Sequence, residues 1–395
     1  MSTKSIRLFI NNLKYKLGFS DDQLEYVDYI TVGNNFRSII SKIENAIKDV
    51  NFHPAGIDFV VTGGFGSGKS HLVYSVQNRV KQINLNSGLV CVADLNTLRD
   101  PAEFQYSLVQ GLISVQGGTL RDALTEIYER LAQEYRNRNH ELSENQILTM
   151  IRWSLLILVV GGVVPPTTGL SFAEIIKILK SIFEEFTKPH QERFSVDSET
   201  PKDFVDAFLN FVQTPESASQ FEEVTRYLSK SYILTDVVFK ILFRAGYRTV
   251  IVLVDEVEST KENCGDDLGK LLIQFRHFRE SLKKCGSEYP AIVAVWTMTE
   301  EFLRDQVEKI DPPLSQRWED RVLGLDPIAD DEIHELINKL IELYRKGGYS
   351  FKKLPSNYMD IFMQQLNDYF HMNTITMRRL ISRIISIIEN EYLIT

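Results

Sequence analysis

The chain has 395 residues, 44% of them hydrophobic and 25% charged, with a net charge of −9 at pH 7. It is long enough for two or three domains with a substantial core, and its acidic balance excludes a protein that coats DNA by bulk charge, leaving local patches or a partner for any such contact. Three cysteines, Cys91, Cys264 and Cys285, with no Cys-x-x-Cys pair or nearby His cluster, argue against a metal site and a disulfide framework and fit a reducing compartment.

Residues 1–29 are expected to form an N-terminal helical lead, with Leu8, Phe9, Leu13, Tyr15 and Leu17 on a loose apolar face. The lead lacks the long apolar core of a secretory signal. Ile30 to Phe36 reads as a turn feeding an amphipathic helix, with Phe36, Ile39, Ile40, Ile43, Ile47 and Val50 at helical spacing. Pro54-Ala55-Gly56 breaks the chain before a buried strand, Ile57 to Thr62.

The stretch Gly63-Gly64-Phe65-Gly66-Ser67-Gly68-Lys69-Ser70-His71 comes next and opens a helix running to about residue 84. Gly63, Gly68, Lys69 and Ser70 fit G-x-x-x-x-G-K-[ST], the phosphate-binding P-loop. In such a loop backbone N–H groups cradle the phosphates, the lysine reaches the β- and γ-phosphates, and the serine hydroxyl ligates Mg²⁺. The positive end of the helix adds to the anion site. The spacing predicts a bound nucleoside triphosphate.

Gly88 to Asp94 is a second apolar strand, and alternating strands and helices argue for a parallel α/β sheet. From residue 101 to 245 the patterns are helical with no convincing strand, so this region is expected as a helical insertion between the second and third strands. Its clearest helices are Phe104–Val115, Leu120–Glu134, Glu144–Val160, Phe172–Phe186 and Pro201–Val212, with a polar break over 195–201. The charged run Arg130 to Arg138 reads most simply as solvated helix surface. Trp153 to Val164, the most apolar window, is too short to span a bilayer; the expectation is a cytoplasmic protein with no membrane partner.

The α/β rhythm returns with Thr249 to Asp255-Glu256, a helix from about Gly265 to Lys284, the strand Ala291 to Thr297 and a short strand at Arg321 to Leu325, closing a core over residues 30–326. Residues 327–395 read as an all-helical tail, with helices over Asp330–Tyr344, Tyr358–Tyr369 and Thr374–Tyr392. An apolar strand ending in Asp255-Glu256 matches the second nucleotide motif of P-loop ATPases, Walker B. Asp255 can hold Mg²⁺ through its water shell, and Glu256 can polarise the attacking water. Glu258 is a third acid nearby, with switching as its one conceivable role. A hydroxyl of Thr297 or Thr299 can orient the water, or either can cap the helix at Glu300.

The order of parts, from Val32-Gly33 through P-loop, Walker B, strand-end threonine and Arg317 to a helical tail, resembles the AAA+ ATPases. Gly64 to His71, Phe243 to Glu258, Thr299 to Phe302 and Thr376 to Leu380 carry a narrower likeness to the ATP-binding proteins of bacteriophage-exclusion (BREX) systems and to origin-recognition-like ATPases. The resemblance implies a parallel-sheet core with a C-terminal helical lid, ATP and Mg²⁺ as cofactors, and a homo-oligomer with shared sites. It makes Thr297 or Thr299 the first sensor and Arg317 a finger completing a neighbour's site, with Arg321 a rival and pairing to Glu319 or Asp320 the plain alternative. Arg378 in the lid becomes the second sensor, although Met377 stands where the family favours proline. The chain stops just after the lid, so no DNA-reading winged helix is expected. The function implied is an ATP-driven component of a DNA-directed defence or DNA-transaction complex; the alternative is a nucleotide-dependent switch or scaffold that binds protein partners with little turnover. A P-loop kinase fits less well, because nothing suggests an acceptor pocket.

Overall fold

Runs such as Thr249-Val-Ile-Val-Leu-Val-Asp255 suit strands covered on both faces, because they leave no polar side to turn to water. The structure, a computed structural model, describes residues 3–15, 23–83, 88–104, 107–108, 111–114, 120–138, 142–160, 200–228, 232–285, 289–370 and 377–394. These runs form one sheet of β1 (Gly56–Thr62), β2 (Gly88–Asp94), β3 (Leu112–Ser114), β4 (Thr249–Asp255), β5 (Ala291–Met298) and β6 (Val322–Gly324), in the order β3-β2-β4-β5-β1-β6. All neighbours are parallel except β2 and β3. Side chains alternate between the two faces: Val250, Val252 and Val254 enter one core, and Ile251 and Leu253 enter the other. This is an α/β P-loop NTPase-like fold.

Helices α1 (Thr3–Tyr15), α2 (Leu24–Tyr29) and α3 (Asn34–Phe52) precede β1, and α4 (Lys69–Gln82) follows it. Between β3 and β4 lie α5 (Leu120–Arg138), α6 (Glu144–Val160), α7 (Thr200–Gln213), α8 (Ala218–Leu228) and α9 (Tyr232–Arg244). Then come α10 (Leu268–Ser281) between β4 and β5, α11 (Pro312–Trp318) before β6, and the C-terminal α12 (Asp330–Lys346), α13 (Tyr358–Phe370) and α14 (Met377–Ile387). Among the described residues no helix is long and apolar enough to cross a membrane.

One expectation fails at residues 104–115. Instead of a continuous helix, Leu112–Ser114 forms an antiparallel edge strand against Leu89–Cys91. The reason is Gly111. Its carbonyl accepts from Val92 N at 2.9 Å, and a Cβ added there would lie 2.2 Å from Val92 O. A glycine weakens helix and permits this approach of two backbones. The helices of this region therefore follow β3, between the third and fourth strands of the chain. The expected helix Phe172–Phe186, the polar break over 195–199 and residues 371–376 lie outside the described residues.

The lead also differs from its expected face. Leu8 is exposed, whereas Ile6, Phe9 and Ile10 are buried, the i, i+3, i+4 pattern of a helix stripe. That stripe, with Tyr26 and Val27 of α2, shares one core with Ile333, Leu336 and Leu340 of α12 and Ile384 and Ile385 of α14. Polar ties reinforce the joint: Glu332 accepts from Asn34 N at 2.8 Å, and Lys339 donates to Thr31 O at 2.7 Å. The segment entering α3 is thus fastened to the C-terminal helices.

Beneath the sheet's other end, Asp58 of β1 is 4% exposed and accepts from Arg279 Nε at 2.7 Å and Trp318 Nε1 at 2.9 Å. Removing one member of a buried pair strands the other charge. Asp58→Ala is expected to cost about 3–5 kcal/mol in urea unfolding, the usual penalty for breaking a buried ion pair; a loss below about 1 kcal/mol would refute the pair's structural weight.

Candidate functional site

Parallel strands place the start of each following loop at one edge, and that edge is where α/β sheets hold ligands. The register puts Thr62 beside Met298 and Asp94 beside Asp255 at this edge. The P-loop therefore leaves β1 next to the end of β5, with the Asp255-Glu256 turn of β4 beyond it.

The P-loop conformation depends on its glycines. Gly68 has φ 106°, a region that costs an L side chain, and caps α4. A Cβ on Gly63 would lie 2.5 Å from Ser67 Oγ. Ser67 Oγ is buried and has no hydrogen-bond partner. Phe65 is 69% exposed, its ring 5.8 Å from Lys69 Nζ. Ser70 is partly buried in the first turn of α4.

Lys69 is 7% exposed, and its ammonium meets three acceptors: Gly63 O at 3.2 Å, Gly64 O at 3.1 Å and Glu258 Oε1 at 3.1 Å. Glu258 is as deeply buried, and its Oε2 has no partner.

Asp255 Oδ1 accepts from Thr297 Oγ1 in a short hydrogen bond and from Glu256 N at 3.0 Å. Glu256 has φ 57° and ψ 39°, and among the described residues it is the one non-glycine with positive φ. Such backbone costs on the order of 1–3 kcal/mol and tends to be retained at functional sites. Its side chain accepts from Ser259 Oγ at 3.3 Å. Burial raises the Glu256 pKa, helped by the charges of Asp255 and Glu258, while Lys69 and Ser259 oppose the rise. A carboxylate held less acidic than usual is the better proton acceptor.

The two threonines separate cleanly. Thr297 is fully buried with its hydroxyl on Asp255, whereas Thr299 accepts from Phe302 N at 3.2 Å and caps the turn at Glu300. Thr297 thus joins the acidic edge, and Thr299 does the structural work.

His71, one turn into α4, shares a 2.8 Å hydrogen bond with Thr31 Oγ1, which is also 3.2 Å from Ser75 Oγ. Burial, together with Lys339, lowers its pKa to about 4, so it is neutral at pH 7. Met377 N donates to Gly66 O at 2.7 Å, bringing the first turn of α14 onto the P-loop. Between them lies a narrow, mostly apolar cavity of about 20 Å³ lined by Ile30, Val32, Phe36, His71, Leu336 and Met377. The side chain of Arg378 lies outside the described residues. A larger groove of about 550 Å³ runs over α12 between Asn338, Arg345 and Tyr358, and no P-loop residue lines it.

Arg317 stands apart from this edge. Its Nη2 pairs with Glu280 at 2.6 Å, its Nη1 is buried without a partner, and its carbonyl accepts from Arg279 at 2.6 Å. The partner is a neighbouring helix rather than the local Glu319 or Asp320. Arg321 is exposed at the end of the short 3₁₀ turn Glu319–Arg321 that precedes β6.

Sequence reasoning missed the Lys69–Glu258 pair, the Met377–Gly66 contact and the Thr31–His71 bond. The acid two residues beyond Glu256 was the available signal for the first; the other two join segments far apart in the chain. A family model described as BREX system ATP-binding protein BrxC/D matches residues 25–392. No curated protein and no solved structure matches the chain.

Proposed function

Because the chain belongs to the family of BREX system ATP-binding proteins BrxC/D, we propose that it is an AAA+ ATPase that hydrolyses ATP to ADP and phosphate with Mg²⁺, working as an oligomer within an anti-phage complex. The observation that carries this reading is the acidic edge. Asp255, locked by Thr297, sits with a strained, less acidic Glu256 across from the P-loop lysine.

In this account the P-loop amides and Lys69 hold the β- and γ-phosphates. Ser70 and Asp255 are hard oxygen donors of the kind Mg²⁺ takes, and the ion, when bound, would offset phosphate charge. Glu256 accepts a proton from the attacking water, and Thr297 keeps Asp255 in one rotamer beside it. The small apolar cavity beside Met377, lined by Ile30, Val32 and Phe36, would receive the base on this reading, next to the bond between Met377 N and Gly66 O. Arg378, in the first turn of α14, would then read the nucleotide state for the lid. On this reading the work performed is remodelling of a partner protein or DNA, with DNA held without sequence specificity.

Arg317 is assigned to a neighbour's site. It lies on α11 with Glu280 as its partner, and that half-exposed pair is cheap to exchange. Arg317→Ala is expected to lower turnover by about 10³-fold, as loss of an arginine finger does. Mixed with Lys69→Ala subunits, it should recover part of the activity, since each variant supplies what the other lacks. Two inactive variants that stay inactive when mixed would argue for a self-contained site. Phosphate release measured with and without DNA at low salt tests the setting: stimulation supports direct DNA action, and indifference to DNA rules it out.

A further inference from the structure

We infer that Glu258 is a built-in stand-in for phosphate, holding Lys69 while the P-loop is empty and yielding it when a polyphosphate arrives. The inference rests on the nucleotide reading above and adds a device that controls entry to that site.

An ammonium has three N–H groups, and three protein oxygens already surround that of Lys69: it donates to Gly63 O and Gly64 O and pairs with Glu258 Oε1 at 3.1 Å. With three acceptors already around one ammonium, a phosphate oxygen that comes up to it displaces one of them. The two carbonyls belong to the P-loop itself. Glu258 is the one anion among the acceptors and therefore the group a phosphate replaces in kind.

Glu258 is also poorly settled. It is buried with Lys69, yet its Oε2 finds no donor, and a buried carboxylate oxygen without a partner is costly. Its backbone belongs to a short 3₁₀ turn, Val257–Ser259, that starts from left-handed Glu256. A strained turn carrying an incompletely bonded acid has a second conformation within reach. The same turn holds Glu256 through Ser259, so release of Glu258 re-aims the base at the moment the phosphates arrive.

The test is calorimetric binding of a non-hydrolysable ATP analogue, inorganic pyrophosphate and AMP to the full chain and to Glu258→Gln. The carboxamide should bind the analogue and pyrophosphate about tenfold more tightly, the gain expected when one charged competitor is removed. AMP, which lacks the β- and γ-phosphates assigned to Lys69, should bind both proteins equally. Glu256→Gln removes a neighbouring charge without touching Lys69 and should gain far less. Glu258→Asp, which keeps the charge but draws it back by one methylene, should fall between wild type and Glu258→Gln and covers the case in which the carboxamide misfolds. Equal or weaker polyphosphate binding by Glu258→Gln, or an equal gain for Glu256→Gln, overturns the stand-in role while leaving the nucleotide site intact. No polyphosphate binding by any of these proteins overturns the nucleotide reading, and the stand-in with it.

Discussion

Lys69→Ala is expected to weaken ATP binding by about 10–100-fold, because the charge-assisted hydrogen bond to phosphate that Lys69 makes on leaving Glu258, worth about 1.5–3 kcal/mol, is lost. The same change has a second effect in the ligand-free protein. It leaves Glu258 as a buried carboxylate with no counter-charge, a situation that costs about 3–5 kcal/mol. Lys69→Ala should therefore melt well below wild type, and adding Glu258→Gln should recover much of the lost stability without restoring ATP binding. Thermal unfolding and calorimetry on the two variants separate the effects. A Lys69→Ala protein as stable as wild type, or one that still binds ATP tightly, would contradict the geometry around the ammonium.

Glu256→Gln is expected to keep ATP affinity within a few-fold of wild type and to lower hydrolysis by about 10²–10³-fold, the usual contribution of a positioned general base. The carboxamide has nearly the same shape and can still accept from Ser259, so the turn should persist; what disappears is a group able to take the proton. Single-turnover phosphate release in the variant reads this directly. Residual turnover near the wild-type rate would remove Glu256 from the chemistry and favour the reading of a binding switch.

What could be read in advance follows physical lines. The P-loop was legible because its chemistry demands residue types at fixed local spacing, and β1, β4 and β5 because a strand buried on both faces needs an unbroken apolar run. The edge strand β3 was hidden: three residues cannot show a period, and its formation depends on the approach of Gly111 to Val92. Thr297 and Thr299 looked interchangeable because both follow the apolar run. The alternation of β5 turns one toward Asp255, and the next turn takes the other as a cap. Arg317 suggested a local acid as partner, whereas helix packing supplied Glu280, 37 positions away in the chain. The Lys69–Glu258 pair, for its part, needs the 3₁₀ turn after Glu256 to bring the acid round, and no periodicity announces that turn.

The measurement closest to the central claim is the fate of ATP mixed with Mg²⁺ and purified wild-type protein, followed by phosphate release over many turnovers beside Lys69→Ala and Glu256→Gln. The account predicts continuous release by the wild type and almost none from either variant, with ATP still bound by Glu256→Gln alone of the two. ATP recovered intact from a wild-type protein that binds it, at low and high protein concentration alike, would contradict it.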